Sequence, residues 1–230
     1  MSKRHGASTR TNTVRSGVEV LRSQSMTTLD RVRELDELFI KQKLNWIANE
    51  YQVSTVGSDG ASAGDPLCFV RQKRLKIREE INFYADEAQK DVVLRLKSKK
   101  IFEFRGRTEV QLPDGTVIGQ LQKVFGRSLL RSSWEVMDAA GTVVATAQEQ
   151  SLPLAILRRI WGMLPYVGDI PFFIPFHFDI AIDGKTVGSY RRPMGLADRY
   201  LLDLKGDPER RIDRRVAMAF TIALDALQDR

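Results

Sequence analysis

The feature that most constrains this chain is its end. Val216, Ala217, Met218, Ala219, Phe220, Thr221, Ile222, Ala223 and Leu224 follow one another without a charge. A helix of this composition has no polar face, so it is stable in water only if protein covers it on every side. It is too short to span a bilayer, which takes about 20 apolar residues. Upstream, Asp207 suits a helix N-cap, Pro208 its first position and Glu209 its first turn, so the helix is expected to start there.

The cover must come from strands. Val92, Leu94, Leu96, Phe102 and Phe104 share one parity, and Arg95, Lys97, Lys99, Glu103 and Arg105 the other. Phe176, Phe178, Ile180 and Ile182 alternate with His177, Asp179 and Ala181, and Tyr200, Leu202 and Leu204 repeat the pattern. Such alternation turns one face to a core and one to water. Pro113-Asp114-Gly115, Asp138-Ala139-Ala140-Gly141 and Asp183-Gly184 separate the runs as tight turns. Short strands joined by hairpins give an antiparallel sheet. A sheet that encloses the chain's own last helix is a closed barrel, so the class is α+β: a β-barrel around a buried C-terminal helix, spanning residues 67–230.

The N-terminal part reads differently. Residues 1–26 are rich in Ser, Thr and Arg and lack periodicity, which predicts a disordered basic tail. Over residues 27–50, Leu29, Val32, Leu35, Leu38, Phe39 and Ile47 recur at roughly helical spacing behind Thr28 as N-cap, which predicts an amphipathic helix. Residues 51–66, with Gly57, Ser58, Gly60, Ser62, Gly64 and Pro66, read as a flexible linker.

Chemistry is sparse. His5 lies in the tail and His177 on the polar parity of a strand, with no nucleophile elbow in reach. One cysteine and one ordered histidine do not make a metal-ligand set, and neither common Gly-rich phosphate loop occurs. The expectation is a protein that is not an enzyme and carries no catalytic residue, cofactor or metal. The single cysteine, Cys68, sits beside Phe69 and Val70 as a small core residue and forbids an internal disulfide. That favours a reducing compartment, hence the cytoplasm or the inner face of a membrane.

Two features stand out as contact candidates. One is basic: Arg71, Lys73, Arg74, Lys76 and Arg78, then Lys97, Lys99 and Lys100, which share a rim if strands pair in order. A solvated strand face explains the same charges equally well. The other is apolar. After Arg158 and Arg159, the stretch from Trp161 through Tyr166 to Phe172 and Phe173 is aromatic, Pro-rich and nearly uncharged. Surface loops are rarely so apolar. It dips into lipid, meets a protein partner or second copy, or lies under the N-terminal helix.

Four segments carry a resemblance to a known family. They are Phe69-Val70-Arg71-Gln72-Lys73, Ile101-Phe102-Glu103-Phe104, Ser133-Trp134-Glu135-Val136-Met137-Asp138 with Gly141, and Asp213-Arg214-Arg215 before the apolar helix. From about Leu67 to Arg230 the chain resembles the tubby C-terminal-like superfamily, in its LURP-one-related and phospholipid-scramblase-like branch. The resemblance implies about twelve strands around a central helix. It transfers no functional residue, since neither the scramblase cysteine cluster nor tubby's head-group residues align with positions here.

With a net charge of +7, the leading functional expectation is a barrel that binds anionic phospholipid, a membrane surface or an apolar ligand. The alternative is a protein-interaction or dimerisation module acting through the aromatic segment. Nucleic acid ranks third, because the basic tail lacks interleaved aromatics.

Overall fold

The structure is a computed structural model, and it describes residues 27–44, 48–73, 80–98, 107–124, 133–150, 177–191 and 199–228. Among them run twelve strands: β1 (Glu37–Leu44), β2 (Ala48–Val56), β3 (Ala63–Lys73), β4 (Glu80–Tyr84), β5 (Val92–Ser98), β6 (Arg107–Gln111), β7 (Val117–Val124), β8 (Ser133–Met137), β9 (Val143–Glu149), β10 (His177–Ile182), β11 (Lys185–Arg191) and β12 (Arg199–Asp203). A short helix, α1 (Thr28–Arg33), precedes them, and α2 (Arg214–Gln228) follows. Each strand pairs antiparallel with the next, and β12 pairs with β1 to close the barrel. The expected closed antiparallel barrel with a C-terminal helix is therefore the fold.

The alternation works as read. In β5, Leu94 and Leu96 are buried while Lys97 is exposed; in β10, Phe178, Ile180 and Ile182 point inward. Phe102 and Phe104 lie outside the described residues. At the β10–β11 turn both Asp183 (φ 50) and Gly184 (φ 79) are left-handed, the pair a two-residue hairpin requires. Asp114 and Asp138 brace their own turns by accepting the amides of Thr116 (2.9 Å) and Thr142 (2.8 Å).

The nine residues 216–224 of α2 are each 3% exposed or less. Burial of a large apolar side chain contributes about 1.5–3 kcal/mol, so this pillar and its wall supply most of the core. Trp134 of β8 meets Phe220 edge-on at 6.1 Å. A Cβ on Gly119 of β7 would fall 2.6 Å from Val216 Cγ2 and 2.9 Å from the Met137 carbonyl oxygen. Glycine there lets β7 run close to the helix. The one hydroxyl on the pillar, Thr221, donates to the Met218 carbonyl at 2.8 Å. Cys68 is buried as expected, its sulfur 3.7 Å from that of Met218, and burial pushes the thiol up to about 12.

Three expectations need correction. The amphipathic helix of residues 27–50 is helical only over Thr28–Arg33, capped by Thr27 and not Thr28, with Asp30 completing a capping box. Glu37–Leu44 is a strand, in which Leu38, Ile40 and Gln42 face inward against β2 and β12. Leu35, Leu38 and Phe39 fit a helical spacing, but pairing on both sides outweighs that local preference. Residues 51–66 are not a linker: Tyr51 and Val53 of β2 are fully buried, and only residues 57–62 turn. The barrel thus begins at β1, not at Leu67. Finally, α2 starts at Arg214. Asp207 caps a turn, accepting the amides of Arg211 and Ile212 at 3.0 Å each, and Arg210 at φ 54 breaks any helix through it. Asp213 takes the N-cap, accepting the Arg215 amide at 2.9 Å. The expected tail, residues 1–26, lies outside the described residues.

Candidate functional site

The meander gives the barrel two unlike ends. At one, short turns join the strands and α2 begins. At the other lie the strand ends at 44, 73, 98, 124, 149 and 191, with the last turn of α2.

The turn end is sealed. Val32 of α1 is fully buried, with Leu29 and Leu35 packed on the same core, and α1 rests on α2 and β3. Arg214, with a side chain 2% exposed, reaches Asp207 at 2.7 Å and Asp36 at 2.8 Å. It also donates to the carbonyls of Asp207 (2.8 Å) and Ile212 (3.0 Å). Arg210 donates to the carbonyls of Arg33 and Glu34, which ties α1 down. Burial pushes the Asp207 carboxyl up, but the Ile212 amide, Arg214 and the Arg211 amide outweigh it and hold it below the ordinary range. Asp213 likewise stands low, as Arg215 overcomes its burial. These groups hold the structure together.

At the far end the interior turns polar. Asp225, near the end of α2, accepts from Tyr51 of β2 and Tyr200 of β12. The Tyr200 hydroxyl also lies 3.1 Å from the Gln42 side-chain oxygen, and its ring stacks on Tyr190 at 5.4 Å. Asn49 donates to Gln72 at 3.1 Å. Two phenols on one buried carboxylate fix the helix against the wall of the closing seam.

The outer face near this end carries exposed charge. Lys41, Lys97, Arg191 and Arg199 are exposed there, and their settings differ. The register sets Lys97 between Glu80 and Glu109, two carboxylates on its flanks. Lys43 pairs with Glu87 at 2.7 Å, and Arg71 lies 3.6 Å from Glu50. Lys41 stands directly opposite Arg199, like charge to like charge. Next to Lys41 on the other side is Gln52. A second like pair on the same seam, Glu37 opposite Asp203, has its own counter-ion: Lys205 lies 2.6 Å from Glu37, and that bond raises the lysine's pKa. Among the described residues no carboxylate is paired with Lys41 or Arg199.

Of the contact candidates singled out in the sequence, Arg71, Lys73 and Lys97 are described, while Arg74, Lys76 and Arg78 lie outside the described residues. Lys99, Lys100, Arg158, Arg159, Trp161, Tyr166, Phe172 and Phe173 lie outside the described residues. The strand ends that bracket them, Ser98 with Arg107 and Glu149 with His177, are all at the far end. Both candidate segments are therefore tethered to one end of the barrel. The helix expected to cover the aromatic segment is reduced to α1. Nothing local marks Lys41 and Arg199, because their pairing joins the first strand to the last. Among the described residues no three or more His, Cys, Asp or Glu side chains gather where a metal ion would fit, and no helix is long and apolar enough to cross a membrane.

A family model described as LURP-one-related matches residues 67–225, from β3 into α2. No curated protein matches the sequence.

Proposed function

The chain belongs to the LURP-one-related family, and from that membership we propose that it is a non-catalytic, tubby-like barrel that binds the surface of an anionic phospholipid membrane. The observation that carries this reading is the exposed basic group at the far strand ends, Lys41, Arg191 and Arg199, on the end to which the aromatic segment is tethered. Each base near an anionic bilayer contributes about 1 kcal/mol, and apolar side chains beside such charges add burial in the head-group layer. The reading places the protein in the cytoplasm, peripheral at the inner face of a membrane. It also extends the kinship to scramblase-like and tubby barrels, supported by twelve strands around an enclosed last helix.

Vesicle sedimentation tests it. The protein should pellet with phosphatidylcholine vesicles only when phosphatidylserine is added, and salt should release it as the Debye length shrinks. Changing Lys41, Arg191 and Arg199 together to Gln should weaken binding about a hundredfold, from about 1 kcal/mol each. Equal pelleting with neutral vesicles, or no loss in the triple variant, would defeat the proposal.

A further inference from the structure

We infer that Arg199, Lys41 and Gln52 form a seat for a phosphate group on the outer face of the seam where the barrel closes. The register places these three in one row across β12, β1 and β2. Neighbouring strands are about 4.8 Å apart, so the guanidinium, ammonium and amide can all reach one small anion above Lys41. Like charges directly opposite each other destabilise a sheet. On this seam the Glu37–Asp203 pair is answered by Lys205, while among the described residues Lys41 and Arg199 have no such partner. A bound anion would supply the counter-charge that this row calls for. An arginine fork binds phosphate oxygens in pairs, and lysine adds a point charge. One register step toward the turn end, Phe39 faces Leu201. Phe39 is 5% exposed although it sits on the outer parity, so the seat borders an apolar patch in which charge is poorly screened. Arg191 stands opposite Leu201, its side chain held by Ser189 at 3.1 Å. It adds field at the edge of the seat.

The seat deepens the membrane reading but does not depend on a membrane, because free phosphate and a phosphomonoester head group present the same oxygens. The test uses the full chain and the Arg199→Glu variant. That change sets opposite charges against each other on β12 and β1, so the variant stays folded with an unchanged or higher melting temperature. Inorganic phosphate stabilises proteins in general by exclusion from their surfaces. The readout is therefore the extra rise in melting temperature of the native chain over the variant, together with amide shifts at residues 41, 52 and 199 in an NMR titration. Saturable shifts with affinity at least tenfold tighter than for chloride, lost in the variant, are expected; Lys97→Gln should change neither. Equal responses of the native chain and Arg199→Glu to phosphate would overturn the seat. Vesicles containing phosphatidic acid then identify the source. Phosphate that displaces them, with Arg199→Glu failing to bind, assigns the seat to a lipid head group. Vesicle binding that is unchanged in the variant, while phosphate binding is lost, assigns it to the free anion. Failure of all vesicle binding with the phosphate response intact removes the membrane reading alone.

Discussion

Replacing Arg214 with Met should be among the most damaging single changes in the chain. The guanidinium is 2% exposed and meets a carboxylate equally hidden, that of Asp207, at 2.7 Å. Methionine fills similar length but leaves the Asp207 charge to the Arg211 and Ile212 amides alone. It also removes the side-chain donor from the Ile212 carbonyl and leaves that of Asp207 with the Arg210 amide alone. Breaking one side of a buried ion pair costs about 3–5 kcal/mol. At about 2–4 °C per kcal/mol for a domain of this size, the melting temperature should fall by about 6–20 °C. Asp207→Asn combined with Arg214→Met should cost less than the two changes added, because the double variant buries no lone charge. The pH dependence carries a sign. Asp207 has a folded-state pKa below its ordinary 3.8, so its contribution is fully present above that value and is lost as pH falls through the lower folded one. Native stability should drop below about pH 4, and Arg214→Met should flatten part of that drop. Asp213, also held low, keeps the rest. Denaturant melts by circular dichroism at pH 7 and pH 3 measure all of this. A loss under 1 kcal/mol at pH 7 would show that the turn end does not rely on this arginine, and the account of its closure would fall.

Two further outcomes follow from the geometry. A chain beginning at Leu67, where the family match begins, lacks β1 and β2 and with them buried Leu38, Ile40, Tyr51 and Val53. At about 1.5–3 kcal/mol per large side chain the loss rivals the whole stability of an ordinary domain, so this fragment should show no cooperative melt, and a monomeric cooperative one would contradict the closed barrel. Cys68 should resist thiol reagents in the native state and react at the rate of unfolding, since burial lifts its pKa to about 12; fast labelling without denaturant would show the β3 wall to be open.

Much of the architecture could be read from local order, and what could not has a common cause. The pillar was legible because residues 216–224 have no polar face, and β5, β10 and β12 because their alternation is strict. Glu37–Leu44 was misread because its apolar positions satisfy two periods at once, and only its partners on both sides decide between them. Asp207-Pro208-Glu209 has the composition of a helix start but serves a turn, since Arg214 draws the Asp207 carboxylate inward. The site suffered most. Lys97 is conspicuous in the sequence, yet two glutamates face it. Lys41 and Arg199 are inconspicuous, and their significance lies in a register between the first strand and the last.

That register also fixes an order of events in the cell. Every neighbouring pair of strands but one is consecutive in the chain, so it can form as the chain emerges; the exception joins β1 to β12. At about 5–20 residues per second, some ten seconds or more separate synthesis of the first strand from synthesis of the last. Through that interval β1 presents an unpaired edge, the kind of surface that recruits other chains. The helix that fills the interior is made later still. Completion must therefore wait for β12 and α2, and the nascent barrel should lean on chaperones until both have emerged.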